Sequence, residues 1–287
     1  VAMVVLLGFT ALAVDIGLAT SRKSEIQNAT DAAALAGAQE LPDNVTAAEN
    51  IARQYAQENG VLNPIITFSD SNRKITVTAQ ENVSYFFAGI LGINEGEVNV
   101  SASATVAPVT RVFRGSGLRP FGVVVDEFVE GEQVVLKTGS QNGTAGNFYP
   151  LALDGTGGNV YKDTIKNGSD SEFSVGDYVS TETGNMIGPT KDAVKSVIDS
   201  CNHSPSCTPT SYEPDCPRVI TVPLIESMEV NGRSEVLIVG FARFFLEDVQ
   251  SRGGHTEVYG RFIEYVMTGG SDPTAEDFGL RSIRLVN

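Results

Sequence analysis

The first forty residues constrain this chain more than any other part of it. VAMVVLLGFTALAV carries no charge from Val1 to Val14, Asp15 interrupts, and Ile16 to Ala19 are again apolar or small. From there to Leu41 there is no proline, and Gly37 is the only glycine, so the helical pattern runs on until Leu41-Pro42 ends it. A continuous helix of about forty residues is about 60 Å long. One small globular domain cannot cover that length, so part of the helix is expected to meet lipid or other subunits.

Ala11-Leu12-Ala13 has the form of a signal-peptidase site. No Met and no basic leader stand ahead of the run, so a retained helix is expected in preference to a cleaved one. As a membrane span the run is short: fourteen helical residues rise about 21 Å against a hydrocarbon core of about 30 Å. Extending it to Ala19 buries Asp15, and a lone carboxylate in lipid is costly. Either apolar residues ahead of Val1 complete a span, or the helix is buried in protein for part of its life. Asp15 is then expected at a hydrated boundary or beside a partner, a neighbouring chain's N-terminal amine or the Arg22/Lys23 pair. Arg22 and Lys23 suit a cytoplasmic flank, although upstream charges could reverse the orientation.

Further along, Ile26, Ala29, Ala33 and Gly37 recur at helical spacing with Ala32 and Ala36 beside them. Small residues so spaced let helix backbones approach closely. Two readings follow: Ala29, Ala33, Ala36 and Gly37 pack a neighbouring helix in an assembly, or the alanine face packs on the chain's own head. In either case residues 42–287 carry their own alternating strands and capped helices and are expected to fold without the helix.

LLGFTALAVDIGLATSRKSEIQNATDAAALAGAQEL resembles the N-terminal segment of the TadE/TadG-like proteins of tight-adherence (Flp) pilus assembly. The resemblance rests on the apolar run, Val14-Asp15-Ile16-Gly17, Gln27-Asn28, and the stretch from Asp31 to Ala38. It covers about forty residues. Downstream, GNFYPLALDGTGGNVY, ETGNMIGPT and YEPDCPRVITVPLIE are similar to uncharacterised surface proteins with that same N-terminus. The resemblance implies a membrane-inserted, pilin-like protein with an exported head, association with Tad-type secretion machinery, and no catalytic activity. Larger members of the family carry a metal-binding von Willebrand type A domain. This chain has no Asp-x-Ser-x-Ser, so that site is not implied here.

Asp43-Asn44 can cap a helix from Val45 to Asn59, with Gly60 as its stop. Ile65 to Phe68 and Ile75 to Ala79 read as strands joined through SDSNR, Val83 to Leu91 as a short aromatic-bearing helix, and Val98 to Val106 as a strand ended by Pro108. Beyond Thr110 the pattern is mostly strands, in FGVVVD, EQVVLKT, FYPLAL, DYVSTE, RVITVPLIE, EVLIVGFARFFLED and EVYGRFIEYVMTG, with one helix from Thr190 to Ser200. The expected fold is α+β: an N-terminal helix over 1–41, a small pilin-like α/β head over 42–110, and a β-rich surface domain over 111–287.

A net charge of −15 argues against nucleic acid, whose phosphates require Lys and Arg. Gly155-Thr156-Gly157-Gly158 lacks the third glycine of a dinucleotide fingerprint and the Lys-Ser/Thr of a phosphate loop, so it reads as a tight turn. G-x-S-x-G and H-E-x-x-H are missing. His203 and His255 are the only histidines, and the carboxylates are scattered. No enzyme and no cofactor is expected.

CNHSPSCTPTSYEPDCPR places Cys201, Cys207 and Cys216 in one proline-rich loop. In an exported protein a disulfide between two of them is the first expectation, leaving an odd thiol. The alternatives are a zinc site of Cys201, His203, Cys207 and Cys216, whose spacing matches no common finger, or simple buried thiols. Asn28, Asn44, Asn82, Asn99, Asn142, Asn167 and Asn202 each open an Asn-x-Ser/Thr sequon. Asn28 sits in the long helix; the other six are candidates for glycosylation. Asp154, Asp163, Asp170 and Asp177 could reach calcium, but their spacing is not diagnostic.

The expected function is a structural subunit of an extracellular pilus-like filament with the N-terminal helices as its core. Its partners are then copies of itself or related pilin-like subunits, with the cytoplasmic membrane as its location before assembly. A membrane-anchored assembly factor or minor adhesive subunit is the alternative, and a surface enzyme ranks last.

Overall fold

The computed structural model describes residues 2–128, 131–138, 148–182, 186–227, 233–252 and 254–286. The chain divides into two compact units, residues 1–106 with 283–287, and residues 107–282.

In the first unit α1 runs Ala2–Ala38. α2, Val45–Glu58, opens on Asn44, whose side-chain oxygen accepts the Ala47 amide at 3.0 Å, satisfying one of the orphan donors of a helix start. β1, Ile65–Ser69, and β2, Lys74–Ser84, form an antiparallel hairpin. Asp70, Ser71 and Asn72 turn it with left-handed φ values of 53°, 54° and 65°. β3, Glu95–Val112, pairs antiparallel with β2 from Ser84↔Glu95 to Lys74↔Thr105 and carries the chain on into the second unit.

Alternation then decides the core. Ile75, Val77 and Ala79 of β2 and Val100, Ala102 and Ala104 of β3 all point to one face and are buried there with α1 and α2. The helices answer with small side chains: Ala29, Ala33, Ala34 and Ala38 of α1 and Ala48, Ala52 and Ala56 of α2 are all buried. Against the expectation that residues 42–287 fold without the helix, the core of the first unit is built jointly with it. From Ile26 onward α1 supplies one wall of the core.

Two local expectations are also overturned. Val83 to Leu91 is not a helix. Val83 and Ser84 are held in β2 opposite Gly96 and Glu95, and only a 3₁₀ turn, Ala88–Leu91, follows. A cross-strand ladder outcompetes a helix punctuated by Gly89 and Gly92. Nor does Pro108 end its strand. The register with β2 stops at Thr105, and pairing with β13, Gly270–Ser271, resumes at Val109, so the missing Pro108 amide falls between the two registers. The Pro108 carbonyl accepts the Asp272 amide at 3.1 Å.

The second unit is built on a mixed sheet. The elements that follow in chain order are β4 (Phe121–Val124), β5 (Gln133–Thr138), β6 (Phe148–Pro150), α3 (Gly158–Asn167), β7 (Phe173–Ser174), β8 (Tyr178–Ser180), α4 (Ile187–Asp199), β9 (Val219–Ile225), β10 (Glu235–Arg252), β11 (His255–Ile263), β12 (Tyr265–Val266), β13 and β14 (Leu280–Val286), the last of which belongs to the first unit from Ile283 on. The strand order is β5-β11-β10-β9-β4-β6, with β8 on β10, and β4–β9 is the parallel pair. Every side chain of VITVPLI in β9 is buried, the signature of a strand covered on both faces. Tyr161 and Ile165 of α3 and Ala193, Val194 and Val197 of α4 pack against Phe121, Ile220, Val222 and Phe244. Gly155 and Gly157 take positive φ, as a turn requires, but α3 begins directly after them, a helix not expected from the sequence.

Candidate functional site

The site is built on the exposed end of α1. Phe9, Leu12, Val14, Ile16 and Leu18 are all exposed, Phe9 by 67%. At about 100° per residue Phe9, Leu12 and Ile16 fall on one side of the helix and Val14 and Leu18 on the opposite side, so they do not form one stripe. Asp15 sits among them and is buried, at 2% exposure.

The burial has a specific cause. One carboxylate oxygen of Asp15 accepts the Phe86 amide at 2.9 Å and the Phe87 amide at 3.3 Å. The other accepts Phe87 at 3.0 Å and Ala88 at 2.7 Å. These are successive N–H groups at the start of the 3₁₀ turn, which lack partners within the turn itself. A carboxylate there is favoured by charge-assisted hydrogen bonding. The bonds hold a loop whose own side chains face outward: Phe86 is 77% exposed and Ile90 84%, with Phe87 and Ile93 also exposed. Helix end and loop therefore present apolar side chains together, beside a groove lined by Leu18, Arg22, Val83 and Phe86.

Below this level polar side chains tie α1 down. Arg22 donates to Glu81 of β2 at 2.7 Å and to Glu25 at 3.1 Å, and these two carboxylates raise its pKa. Gln27 donates to Asp31 at 2.8 Å and to the Ser101 carbonyl at 3.3 Å. One turn further the small-residue face begins.

Of the expected partners of Asp15, the Arg22/Lys23 pair is corrected by this geometry. Neither Arg22 nor Lys23 reaches it: Arg22 stands two helical turns on and is taken by Glu81 and Glu25, while backbone amides supply the donors. Ala29 and Ala33 are fully enclosed by their own unit. Ala36 is half-buried. A Cβ on Gly37 would lie 2.8 Å from the Ala48 carbonyl oxygen and 2.9 Å from the Ala52 Cβ. Of the two readings of this face, the structure holds the packing on the chain's own head. The outward loop at 85–94 was missed as a surface, although the run YFFAGILGI has no polar residue to cover it.

The cysteines are elsewhere, after α4. All three are free, so the expected disulfide is not formed. Cys201, Cys207, Cys216 and His203 converge, with their donor atoms within 4.8 Å of one another. Burial opposes ionisation of Cys201, but hydrogen bonds from the His203 ring and amide outweigh it and bring the thiol down to about 6. Burial first, and then the neighbouring thiols, push Cys216 up to about 12.

Asn28, Asn44, Asn82, Asn99, Asn167 and Asn202 are exposed. Asn44 is engaged as the α2 cap, and Asn142 lies outside the described residues. Asp154, Asp163 and Asp170 line one pocket with Asn167, but Asp154 is already satisfied by the hydroxyls of Thr164, Ser169 and Ser171. Asp177 lies apart and accepts the Ser174 amide.

Among the described residues no helix is long and apolar enough to cross a membrane. Residues 1–40 match the family model described as "Putative Flp pilus-assembly TadE/G-like". No curated protein and no solved structure matches this chain.

Proposed function

We propose that this chain, whose N-terminal segment the family match associates with Flp/Tad pilus assembly, is a pilin-like structural subunit with no catalytic role. One observation carries the reading: a helix end with large apolar side chains exposed on opposite sides. A helix hydrophobic all round is stable only when it is surrounded. Among the described residues the 86–88 loop covers only the Asp15 side of this stretch and leaves Phe9, Leu12, Val14, Ile16 and Leu18 exposed, so the partner is lipid before assembly and the helices of other subunits afterwards. Each Å² of apolar surface so removed from water contributes about 25 cal/mol. The division of labour along α1 supports the same reading. Its second half is committed to the head core, leaving the first half for the assembly, with Asp15 at the junction held by the Phe86–Ala88 amides.

A membrane-anchored assembly factor is the second reading. It is favoured by the enclosure of Ala29 and Ala33, which withdraws the closest-packing face from any neighbouring helix.

The experiment compares the parent with Leu12→Asp/Ile16→Asp, two exposed positions whose change leaves the head intact. Flotation with anionic phospholipid vesicles and electron microscopy of shed surface material are the readouts. The parent is expected to float and to occur as a repeating unit of filaments, and the variant to do neither. A parent found only in the membrane fraction, with filaments built from other chains, would favour the assembly factor. Equal flotation and assembly by the variant would overturn both readings.

A further inference from the structure

The loop joining α4 to β9, residues 200–218, has a composition that cannot make a core: it carries four prolines and few apolar side chains. Among the described residues its regular pairing is a single bridge, Thr208↔Ser211. Yet Cys207 and Cys216 are buried, packed with Val219 and Phe245. Something other than apolar burial must define this loop.

We propose that Cys201, His203, Cys207 and Cys216 form a structural zinc site that fastens this loop to the sheet.

The distances carry the assignment. Tetrahedral zinc with Zn–S of about 2.3 Å and Zn–N of about 2.0–2.1 Å requires S···S edges of about 3.8 Å and S···N edges of about 3.6 Å. Cys201 Sγ lies 3.7 Å from Cys216 Sγ and 3.6 Å from His203 Nδ1, and Cys207 Sγ lies 3.4 Å from the same nitrogen. Three of the six edges thus match a coordination tetrahedron, and all four donor atoms lie within 4.8 Å of one another. A disulfide would use two of the sulfurs and leave the third sulfur and the imidazole converging on nothing.

The surroundings are those of a metal ligand set. His203 turns Nδ1 toward the sulfurs because Nε2 donates to Asp215 at 3.1 Å, the arrangement that fixes the tautomer of a ligating imidazole. Zinc binds the three sulfurs as thiolates beside a neutral imidazole, which leaves a net charge of −1 on the site. Arg218 stands ready to offset it, donating to the Cys207 carbonyl at 3.1 Å while anchored to the Leu246 and Glu247 carbonyls of β10. Four protein donors leave no open position, so the site is structural rather than catalytic. The three thiolates and one imidazole favour zinc over magnesium or calcium.

The test uses the full chain, purified, reduced and freed of metal, then titrated with Co²⁺ and with Zn²⁺. One equivalent of cobalt is expected, with the intense visible bands of tetrahedral coordination and a thiolate-to-metal charge-transfer band. Zinc should displace it at the same stoichiometry and protect all three thiols from alkylation. Asp215→Asn should keep the tetrahedral spectrum and weaken zinc binding by about tenfold or more. Three thiols that alkylate freely in the folded protein under excess zinc would overturn the assignment. So would a native disulfide, seen by intact mass, whose reduction yields a folded chain that takes up no metal.

Discussion

The Asp15 carboxylate accepts the Ala88 amide at 2.7 Å, joining the exposed end of α1 to a loop 73 residues further along the chain. The same carboxylate takes the two preceding amides, so one side chain holds the start of the 3₁₀ turn. Asp15→Ala is expected to free this loop without unfolding the unit, whose core begins at Ile26. Hydrogen exchange at Phe86, Phe87 and Ala88 should accelerate by about tenfold or more. Asp15→Asn, which keeps one oxygen acceptor, should recover part of the protection. Unchanged exchange in Asp15→Ala would mean that the carboxylate does not hold the loop.

Ala33 is fully buried between α2 and the sheet, with no room and no partner for a charge. Ala33→Glu is therefore expected to destabilise the first unit by about 3–5 kcal/mol, the cost of an uncompensated buried charge. Gly37→Ala is the subtler case. Its Cβ would come within 2.7 Å of Ile75 Cδ1 and 2.8 Å of a backbone oxygen, and overpacking of this kind costs about 1–3 kcal/mol. Urea midpoints of the two variants measure both.

Truncation separates the two halves of α1. A chain beginning at Ala13 keeps Asp15 and the whole buried face, and should retain the folded first unit while losing vesicle flotation. A chain beginning at Pro42 loses Ile26, Ala29, Ala33, Ala34, Ala38 and Leu41 from the core. Its alternating strands would then expose their apolar face, and the first unit should lose its cooperative unfolding transition. A native-like transition in the second chain would show that α1 is dispensable to the head.

In the second unit Arg119 is buried, and its Nε and one terminal nitrogen have no hydrogen-bond partner among the described residues. Burial, and then the charge of Arg243, bring its pKa down to about 10 from 12.5. A base whose folded pKa is depressed binds its proton more tightly when unfolded, so the cost is full below pH 10 and fades as pH rises above it. Arg119→Met is expected to leave stability unchanged or to raise it by up to about 2 kcal/mol at pH 7. The gain should shrink when measured above pH 10.

The sequence by itself determined the elements whose signals are local. With no proline before Pro42, α1 could run unbroken, and Asn44 was legible as a cap because its partner, Ala47, is three residues away. The alternation of Ile75, Val77 and Ala79 announced a half-buried strand. The apolar start announced that something must surround it. Only the tertiary structure decided which surface the alanine face meets, because a small-residue stripe is complementary to any closely packed backbone. Here α2 and the β2–β3 sheet take it. Asp15 shows the same limit: its donors lie 71 to 73 residues away, and their positions depend on where the β2–β3 register stops. The cysteine loop shows it again. Spacing offered four donors, but their convergence to within 4.8 Å of one another depends on Arg218 and on the packing of Cys207 and Cys216 against β9 and β10. Period and capping act over a few residues, whereas these contacts arise only when distant segments are brought into register.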